Sequence, residues 1–325
     1  MNRLVGFAGV VSKRVASAMA LLVGASSIIY LTVRMAPGNA VDAITPMGTP
    51  EDIKQQLAVD FGLNEGPIIG YFSWLSRAIQ GDLGDSLVVA MGSRVVDEAL
   101  PAYWITLRLS AVALLACLFI AFLAALATSH HQRRSGLIAA PIYFVTTIPS
   151  FIMAVFLIHG INSFVRYNVS PDVIFTLDWY ALGQPSDSIV PTLIGGLALV
   201  LSDGLFVDYL NALRAELIKL KTSQFIMSVR SRGASIWPHI IRNLWVPLVA
   251  GYAARLPLVL SSVVIVEKIF GIEGAGFLLI EAAKVRDLPM VVGVSLLFTM
   301  TIIAVDLLAS IVRIVTDPRE VARGA

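Results

Sequence analysis

The sequence predicts an all-α polytopic membrane protein with six transmembrane helices. Of its 325 residues, 57% are hydrophobic and 14% are charged, whereas roughly a quarter of the residues are charged in an ordinary soluble domain. Six apolar segments reach the ~20 helical residues that cross a hydrocarbon core of ~30 Å. Because backbone polar groups in a bilayer must be satisfied within the protein, helices are the expected form of these segments.

The predicted spans are, in order, residues 15–33, 105–127, 137–161, 189–206, 245–265 and 291–314. The first span follows Arg3, Lys13 and Arg14 and could be mistaken for a secretory signal. Its apolar run exceeds the usual core of about 7–15 residues in a signal peptide, so a retained membrane anchor is predicted.

The distribution of Arg and Lys predicts the orientation of the chain. Basic residues precede the first span, separate the second from the third and the fourth from the fifth, and follow the sixth. The opposite side carries mainly Asp and Glu, most of them in residues 35–103. By the positive-inside rule, both termini and the loop 214–245 are cytoplasmic.

These spans and loops define the predicted domain organisation. The divisions are an N-terminal cytoplasmic segment with the first span (1–34), an extracytoplasmic region (35–103), a core membrane domain (104–316) that contains loop 214–245, and a cytoplasmic tail (317–325). Pro-Gly and Gly-Asp pairs in the extracytoplasmic region predict turns around short helices. The apolar stretch 277–283 is too short for a span and predicts a short helix on or in the outer face.

Residues 230–247 predict a basic helical hairpin between two membrane-length apolar runs. Gly233 can break a helix, Ser235 can cap the next helix, and Pro238 falls early in that helix, where its missing N–H costs little. His239 and Arg242–Asn243 then lie on one helix face, at i, i+3 and i+4.

This hairpin, with its Arg-x-Arg-Gly and His-x-x-Arg-Asn-x-x-x-Pro order, resembles the coupling loop of permease subunits in ATP-binding-cassette importers of the peptide, opine and nickel uptake group. Further motifs of that family are spread over nearly the whole chain: Arg34-Met35-Ala36-Pro37-Gly38, Gly81-Asp82-Leu83-Gly84-Asp85-Ser86, Ile148-Pro149-Ser150-Phe151 at a bend in the third span, Gly274-Ala275-Gly276, Arg286-Asp287-Leu288-Pro289 and Asp317-Pro318-Arg319. The resemblance implies the type I ABC importer permease fold. The alternative is a basic cytosolic loop that only fixes the topology.

The resemblance implies a transport function and a set of partners. The chain would form a translocation path with a second permease, usually a different homologous chain, and two ABC ATPase subunits would hydrolyse ATP, so this chain is not itself an enzyme. An extracytoplasmic substrate-binding protein would deliver di- or oligopeptides, or alternatively nickel or other metal chelates, opines or glycosides. The implied location is the bacterial or archaeal cytoplasmic membrane, in contact with membrane lipid. A secondary transporter is a more distant alternative, because no internal repeat is detectable.

The predicted ATPase-coupling residues all lie in the hairpin: Arg230, Arg232, Gly233, Ala234, Ser235, Ile236, Trp237, His239, Arg242, Asn243 and Pro247. We expect the three arginines to offer charge-assisted hydrogen bonds to the ATPase. Ile236, Trp237 and Ile240 are expected to supply an apolar plug.

A second set of residues is predicted to form an outer gate or a docking edge for the binding protein: Gly81, Asp82, Gly84, Ser86, Gly274, Gly276, Arg286 and Asp287. Glycines permit left-handed backbone here, and Asp and Ser can close a turn by hydrogen bonding. The alternative is a turn that merely folds the outer segment.

Ionisable groups at membrane depth need a partner or a wet surface. The charges that are most costly to bury in this sequence belong to Asp203, Arg255 and Asp306. Two of them could form a structural ion pair, for instance Asp203 with Arg255. Alternatively, these residues form a polar lining of the translocation path. Asn211 and the pair Gln224-Phe225 depart from the family pattern near these positions.

Several function classes are excluded. The sequence has no phosphate-binding loop, no zinc-protease motif and no nucleophile elbow, so no cofactor, metal or catalytic residue is predicted. The net charge of +2 is small, and the basic residues form no stripe along the chain. Both observations argue against a nucleic acid partner. The single Cys117 excludes an internal disulfide and is expected to be small core filler.

Overall fold

The computed structural model describes residues 2–35, 41, 45, 49–60, 65–128, 143–168 and 189–316, and its regular structure is helical. The helices are α1 (Asn2–Met35), α2 (Glu51–Asp60), α3 (Pro67–Ala78), α4 (Val95–Thr128), α5 (Ser150–Asn168), α6 (Ile189–Leu201), α7 (Leu205–Lys221), α8 (Gln224–Ser231), α9 (Trp237–Phe270), α10 (Ala275–Lys284) and α11 (Leu288–Thr316). Within the described ranges, strand-type pairing is limited to one antiparallel bridge between Asp85 and Arg94. The all-α prediction is therefore confirmed for this part of the chain.

The count of six transmembrane helices is not confirmed. Among the residues that the structure describes, three helical segments are long and apolar enough to cross a membrane: Ser12–Met35, Val95–Thr128 and Leu288–Val312. Helices α6 and α7 form a fourth candidate if the pair is taken as one span bent by 55°. The apolar part of α5, Ser150–Phe164, is shorter than a full span.

Two predicted spans are interrupted rather than continuous. In the third, residues 143–146 are helical, the helix then breaks, and α5 begins at Ser150, directly after Pro149. Residues 137–142 of that span, like the tail 317–325, lie outside the described residues. In the fourth, Asp203 and Gly204 have φ values of +54° and +70°, which end α6 and start α7 in a new direction.

The chain forms two compact units, and the first comprises residues 1–11, 108–272 and 305–325. Its centre is α9, which packs against α5, α6 and α7. Side chains at helical spacing on α9 are buried there, including Leu256, Val259, Leu260 and Val263. Burial of such an apolar stripe is what stabilises an otherwise marginal helix.

The second unit comprises residues 12–107 and 273–304. It contains most of α1, the short helices α2, α3 and α10, and parts of α4 and α11. The predicted short helix at 277–283 is confirmed as α10. Close packing in this unit requires Gly293, because a Cβ there would lie 2.6 Å from Val95 Cγ1.

Candidate functional site

The hairpin between α7 and α9 contains an additional short helix. Ser223 caps α8, since its hydroxyl accepts a hydrogen bond from the Ile226 N–H at 3.4 Å. After α8 the chain turns at Gly233, whose φ of +71° is costly for any other residue. The Gly233 N–H donates to the Arg230 carbonyl at 3.0 Å. The predicted break at Gly233 is therefore confirmed.

The predicted cap of the next helix is wrong. Helix α9 begins at Trp237, and Ile236, not Ser235, occupies the N-cap position without a side-chain cap. Pro238 lies within the first two positions of α9, as expected. The same helix face carries His239 and Asn243, and the Asn243 amide donates to the His239 carbonyl at 2.7 Å.

One side of the hairpin is turned inward. Ile226 and Val229 of α8 and Ile240 and Leu244 of α9 are all buried. Ile240 has no exposed surface, so it holds the hairpin to its own unit and cannot belong to a docking plug. The predicted apolar plug of Ile236, Trp237 and Ile240 is therefore wrong for Ile240.

The other side exposes large apolar side chains together with basic ones. Phe225, Met227, Trp237 and Ile241 are 54%, 54%, 41% and 60% exposed. Arg230, Arg232 and Arg242 are also exposed, and we call these seven residues the hairpin face. Trp and Arg are residue types enriched at interface hot spots. The sequence analysis missed Phe225, Met227 and Ile241. In α8 the i, i+3 pair Ile226 and Val229 could have identified the inward side of the helix and so left Phe225 and Met227 as outward residues.

Two ring contacts join α8 and the end of α7 to the first turn of α9. Phe225 and His239 meet edge to face, with ring centroids 5.4 Å apart. Lys221 Nζ lies 5.8 Å from the centre of the Trp237 ring, within the range of a cation–π interaction. These contacts make the hairpin a braced element rather than a loose loop.

The remaining predicted coupling residues lie at the turn or beyond it. Ala234 and Ser235 are exposed beside Gly233, and Ile236 and His239 are partly exposed. Pro247 lies within α9, and its side chain is outside the described residues.

Asp203 joins three helices of the first unit. Its Oδ1 accepts from the backbone N–H of Ser150 at 3.1 Å, at the start of α5, and its Oδ2 accepts from the Ser262 hydroxyl of α9 at 2.7 Å. The backbone N–H groups of Asp203 and Gly204 donate to the carbonyls of Ile148 and Thr146. The carboxylate thus ties the α6–α7 break to α5 and α9.

Arg255 pairs with Asp208, not with Asp203. The Arg255 Nη1 to Asp208 Oδ2 distance is 2.7 Å, and each side chain is 40% exposed. The expected Asp203–Arg255 pair is wrong because the left-handed backbone at Asp203 directs its carboxylate to Ser150 and Ser262. Asp306, the third predicted group, is exposed on α11.

In the second unit, Asp287 is the centre of a buried hydrogen-bond cluster. This carboxylate has no exposed surface. Its Oδ2 accepts from the Ser86 hydroxyl at 2.5 Å and from the backbone N–H groups of Val88 and Val89 at 3.0 and 3.1 Å. Its Oδ1 accepts from the Met290 N–H at 3.3 Å in the first turn of α11. Such a fully satisfied cluster fixes the turn that follows Gly84 against the start of α11.

The other predicted outer residues divide by exposure. Gly81 and Arg286 are exposed, Asp82 and Gly84 are partly exposed, and Gly274 and Gly276 are buried. Gly81 and Gly84 have φ values of +84° and +91°, as expected for a turn that requires glycine. Ser86 and Asp287 hold the turn from inside, and among the predicted outer residues the fully exposed surface is limited to Gly81 and Arg286.

Residues 117–321 match the family described as the binding-protein-dependent transport system inner membrane component. A protein of Brucella abortus (strain 2308), provisionally named a peptide transport system permease protein, is 26% identical over 324 residues, which cover 94% of this chain and 97% of that protein. The metal-staphylopine import system permease protein of Staphylococcus aureus (strain NCTC 8325 / PS 47) is 24% identical over 318 residues, with 94% and 96% covered.

Proposed function

Because the chain belongs to the family of binding-protein-dependent transport system inner membrane components, we propose that its hairpin face receives the motion of a separate ATPase subunit. The chain is a permease of an ATP-binding-cassette importer for peptides or metal chelates. It is a transport subunit, and ATP hydrolysis belongs to other subunits of such a system. The family and the candidate spans together support a multi-pass protein of the inner membrane.

The observation that carries the proposal is the exposed mixture of apolar and basic side chains on a braced hairpin. Large apolar groups are 41–60% exposed at four positions of the hairpin face. Exposed groups of this kind beside three arginines are suited to a protein partner, since arginine offers charge-assisted hydrogen bonds and the apolar side chains gain from burial. A loop that only fixed the topology would have no need of exposed Phe225, Met227 and Ile241.

Helix α9 offers a path for the motion. It begins inside the hairpin at Trp237 and continues for 34 residues to Phe270, a length of about 51 Å at the rise of an α-helix. Along this length it packs against α5, α6 and α7. A displacement at the hairpin would therefore move several helices together, as transport by alternating access requires.

The proposed assembly contains this chain, a second homologous permease, two ATPase subunits and an extracytoplasmic substrate-binding protein. Both termini and the hairpin would face the cytoplasm, as the positive-inside rule predicts. Di- or oligopeptides are the proposed cargo, and the peptide transport system name of the Brucella relative supports this choice. Metal chelates are the second candidate, favoured by the name of the Staphylococcus relative.

The test replaces Gly233 by Val in the assembled importer. A β-branched residue at a φ of +71° strains the turn, by about 1–3 kcal/mol, without a clash, since nothing lies within 4 Å of a Cβ there. We expect normal membrane insertion and a loss of substrate-stimulated ATP hydrolysis.

Gly92→Val is the matched control. Gly92 has a φ of +80° and also has nothing within 4 Å of an added Cβ, but it lies outside the hairpin. The control should retain substrate stimulation. Normal stimulation in the Gly233 variant, or equal loss in both variants, would remove the proposed role of the hairpin. Stimulation by a binding protein loaded with a peptide, compared with a metal chelate, would decide the cargo.

A further inference from the structure

Helix α3 has three distinct sides. One side packs on α1 through Gly70, Tyr71 and Trp74, all of which are buried. The polar side carries Ser73, which is partly exposed, and Arg77, which is exposed, at i and i+4. The third side is mainly apolar and exposed: Ile68, Phe72 and Ile79, at i, i+4 and i+11, are 67%, 61% and 79% exposed, and Ile69 beside them is 66% exposed.

The contacts between α3 and α1 fix the depth of α3. The Tyr71 hydroxyl donates to the Val23 carbonyl at 3.0 Å and is hydrogen-bonded to the Ser26 hydroxyl at 3.0 Å. Val23 and Ser26 lie inside the candidate span Ser12–Met35, about 18 and 14 Å before its end at the rise of an α-helix. Val23 is next to the midpoint of the predicted span 15–33, so the tip of Tyr71 reaches the middle of the hydrocarbon layer.

Other contacts place α3 at the level of the last turns of α1. At the end of α1, the Arg34 guanidinium donates to the Glu65 carbonyl at 3.1 Å, just before α3 begins. One turn further into α1, the Tyr30 ring lies 5.7 Å from the Tyr71 ring and 5.8 Å from the Trp74 ring. The first half of α3 therefore lies beside the last turns of α1.

Helix α1 itself presents its apolar surface outward. Leu21 and Ile28, on either side of Ser26, are 61% and 67% exposed. In a chain of this family, exposed apolar side chains at the level of a span meet acyl chains. Through the Tyr71 contacts with Val23 and Ser26, α3 lies beside the part of α1 that presents this surface.

We infer that α3 is embedded in the outer leaflet beside α1, with Ile68, Phe72 and Ile79 in contact with lipid acyl chains and the Ser73–Arg77 side toward headgroups and water. The occupant of this face is the bilayer, not a protein partner. An amphipathic helix at the interface buries its apolar face at the boundary of headgroups and acyl chains in this way. The segment between the first two spans is thus in part a membrane-embedded element, not a wholly aqueous loop.

The test uses nitroxide labels at single cysteines in the full chain, reconstituted with its importer in phospholipid vesicles. Cys117, which is buried, is replaced by Ala to give the background. Ile68→Cys and Phe72→Cys report on the apolar side, and Ser73→Cys and Arg77→Cys are the matched pair on the polar side. Relaxation by molecular oxygen, which is concentrated in lipid, is compared with relaxation by a water-soluble nickel chelate.

We expect oxygen to dominate at positions 68 and 72 and the nickel chelate to dominate at positions 73 and 77. Nickel access at 68 and 72 equal to that at 73 and 77 would mean a water-exposed face and would overturn the inference. Low access of both reagents at 68 and 72 would mean that a protein covers the face, which would overturn it as well. Two positions on each side keep the test decisive if one variant fails to fold, and no outcome depends on the role of the hairpin.

Discussion

At the scale of single residues, Asp287 shows how a predicted surface residue can prove to be structural. Its side chain accepts four hydrogen bonds and is fully buried. A carboxylate can satisfy this many donors because it has two oxygens and about four acceptor sites. The residue therefore defines the shape of the turn 84–94 and cannot itself contact a binding protein.

Asp287→Asn is expected to destabilise the second unit. An amide keeps one acceptor oxygen and points N–H donors at a backbone N–H, so at least one of the four bonds is lost, at about 1–3 kcal/mol. The thermal unfolding midpoint in mild detergent should fall by several degrees. Asp82→Asn is the control, because Asp82 is partly exposed and its carboxylate accepts a hydrogen bond from the Gly84 N–H at 2.9 Å. An equal shift in both variants would contradict the role given to Asp287.

Residue patterns predicted backbone breaks better than side-chain partners. Gly233 and the Pro149 bend were found where the sequence placed them, since glycine permits a left-handed turn and proline restricts φ at its own position. The partner of Arg255 depends on the direction of the Asp203 side chain, which follows from a left-handed backbone that the sequence does not reveal. Ile240 was misplaced for a similar reason, because apolar residues occur on both sides of the hairpin and periodicity alone does not say which side faces the core.

At the scale of helices, the Asp208–Arg255 pair links α7 to α9 within the first unit. The two charged groups lie 2.7 Å apart and are partly exposed. Unpaired charges at membrane depth are costly, so each should depend on the other. The pair differs from the Asp203 cluster, which joins the α6–α7 break to α5 and α9 through neutral donors.

A double-mutant cycle separates these two arrangements. Asp208→Asn and Arg255→Gln should each lower the thermal midpoint, and the double variant should recover part of the loss, with a coupling of about 0.5–3 kcal/mol. The matched cycle of Asp203→Asn with Arg255→Gln should be additive within ~0.5 kcal/mol. Strong coupling in the second cycle and none in the first would restore the pairing first expected from the sequence.

At the scale of the whole molecule, the sequence predicted the class of protein more securely than its span count. Composition and the spread of motifs indicated a helical permease, and the family match over residues 117–321 agrees with this. The fourth span was predicted as continuous because its hydropathy is high throughout. The break at Asp203–Gly204 is a matter of backbone geometry, which a sum of hydropathies does not detect.

Assembly of the importer should depend on the apolar part of the hairpin face. Met227 and Ile241 are 54% and 60% exposed and take no part in the inward side of the hairpin. Met227→Asp or Ile241→Asp would leave the fold of the chain intact, because both side chains point outward. Each would bury an unpaired charge where the proposed ATPase surface excludes water, which costs more than the ~1.4 kcal/mol that corresponds to a factor of ten in affinity.

We therefore expect retention of ATPase subunits in mild detergent to fall about tenfold or more in either variant. Met91→Asp is the control, since Met91 is 67% exposed but lies outside the hairpin. All three chains should reach the membrane in equal amounts, which separates a docking defect from a folding defect. Undiminished retention of ATPase subunits in both hairpin variants would show that the exposed apolar groups do not contact the ATPase. An equal loss of ATPase subunits in the Met91 variant would attribute the effect to the added charge alone.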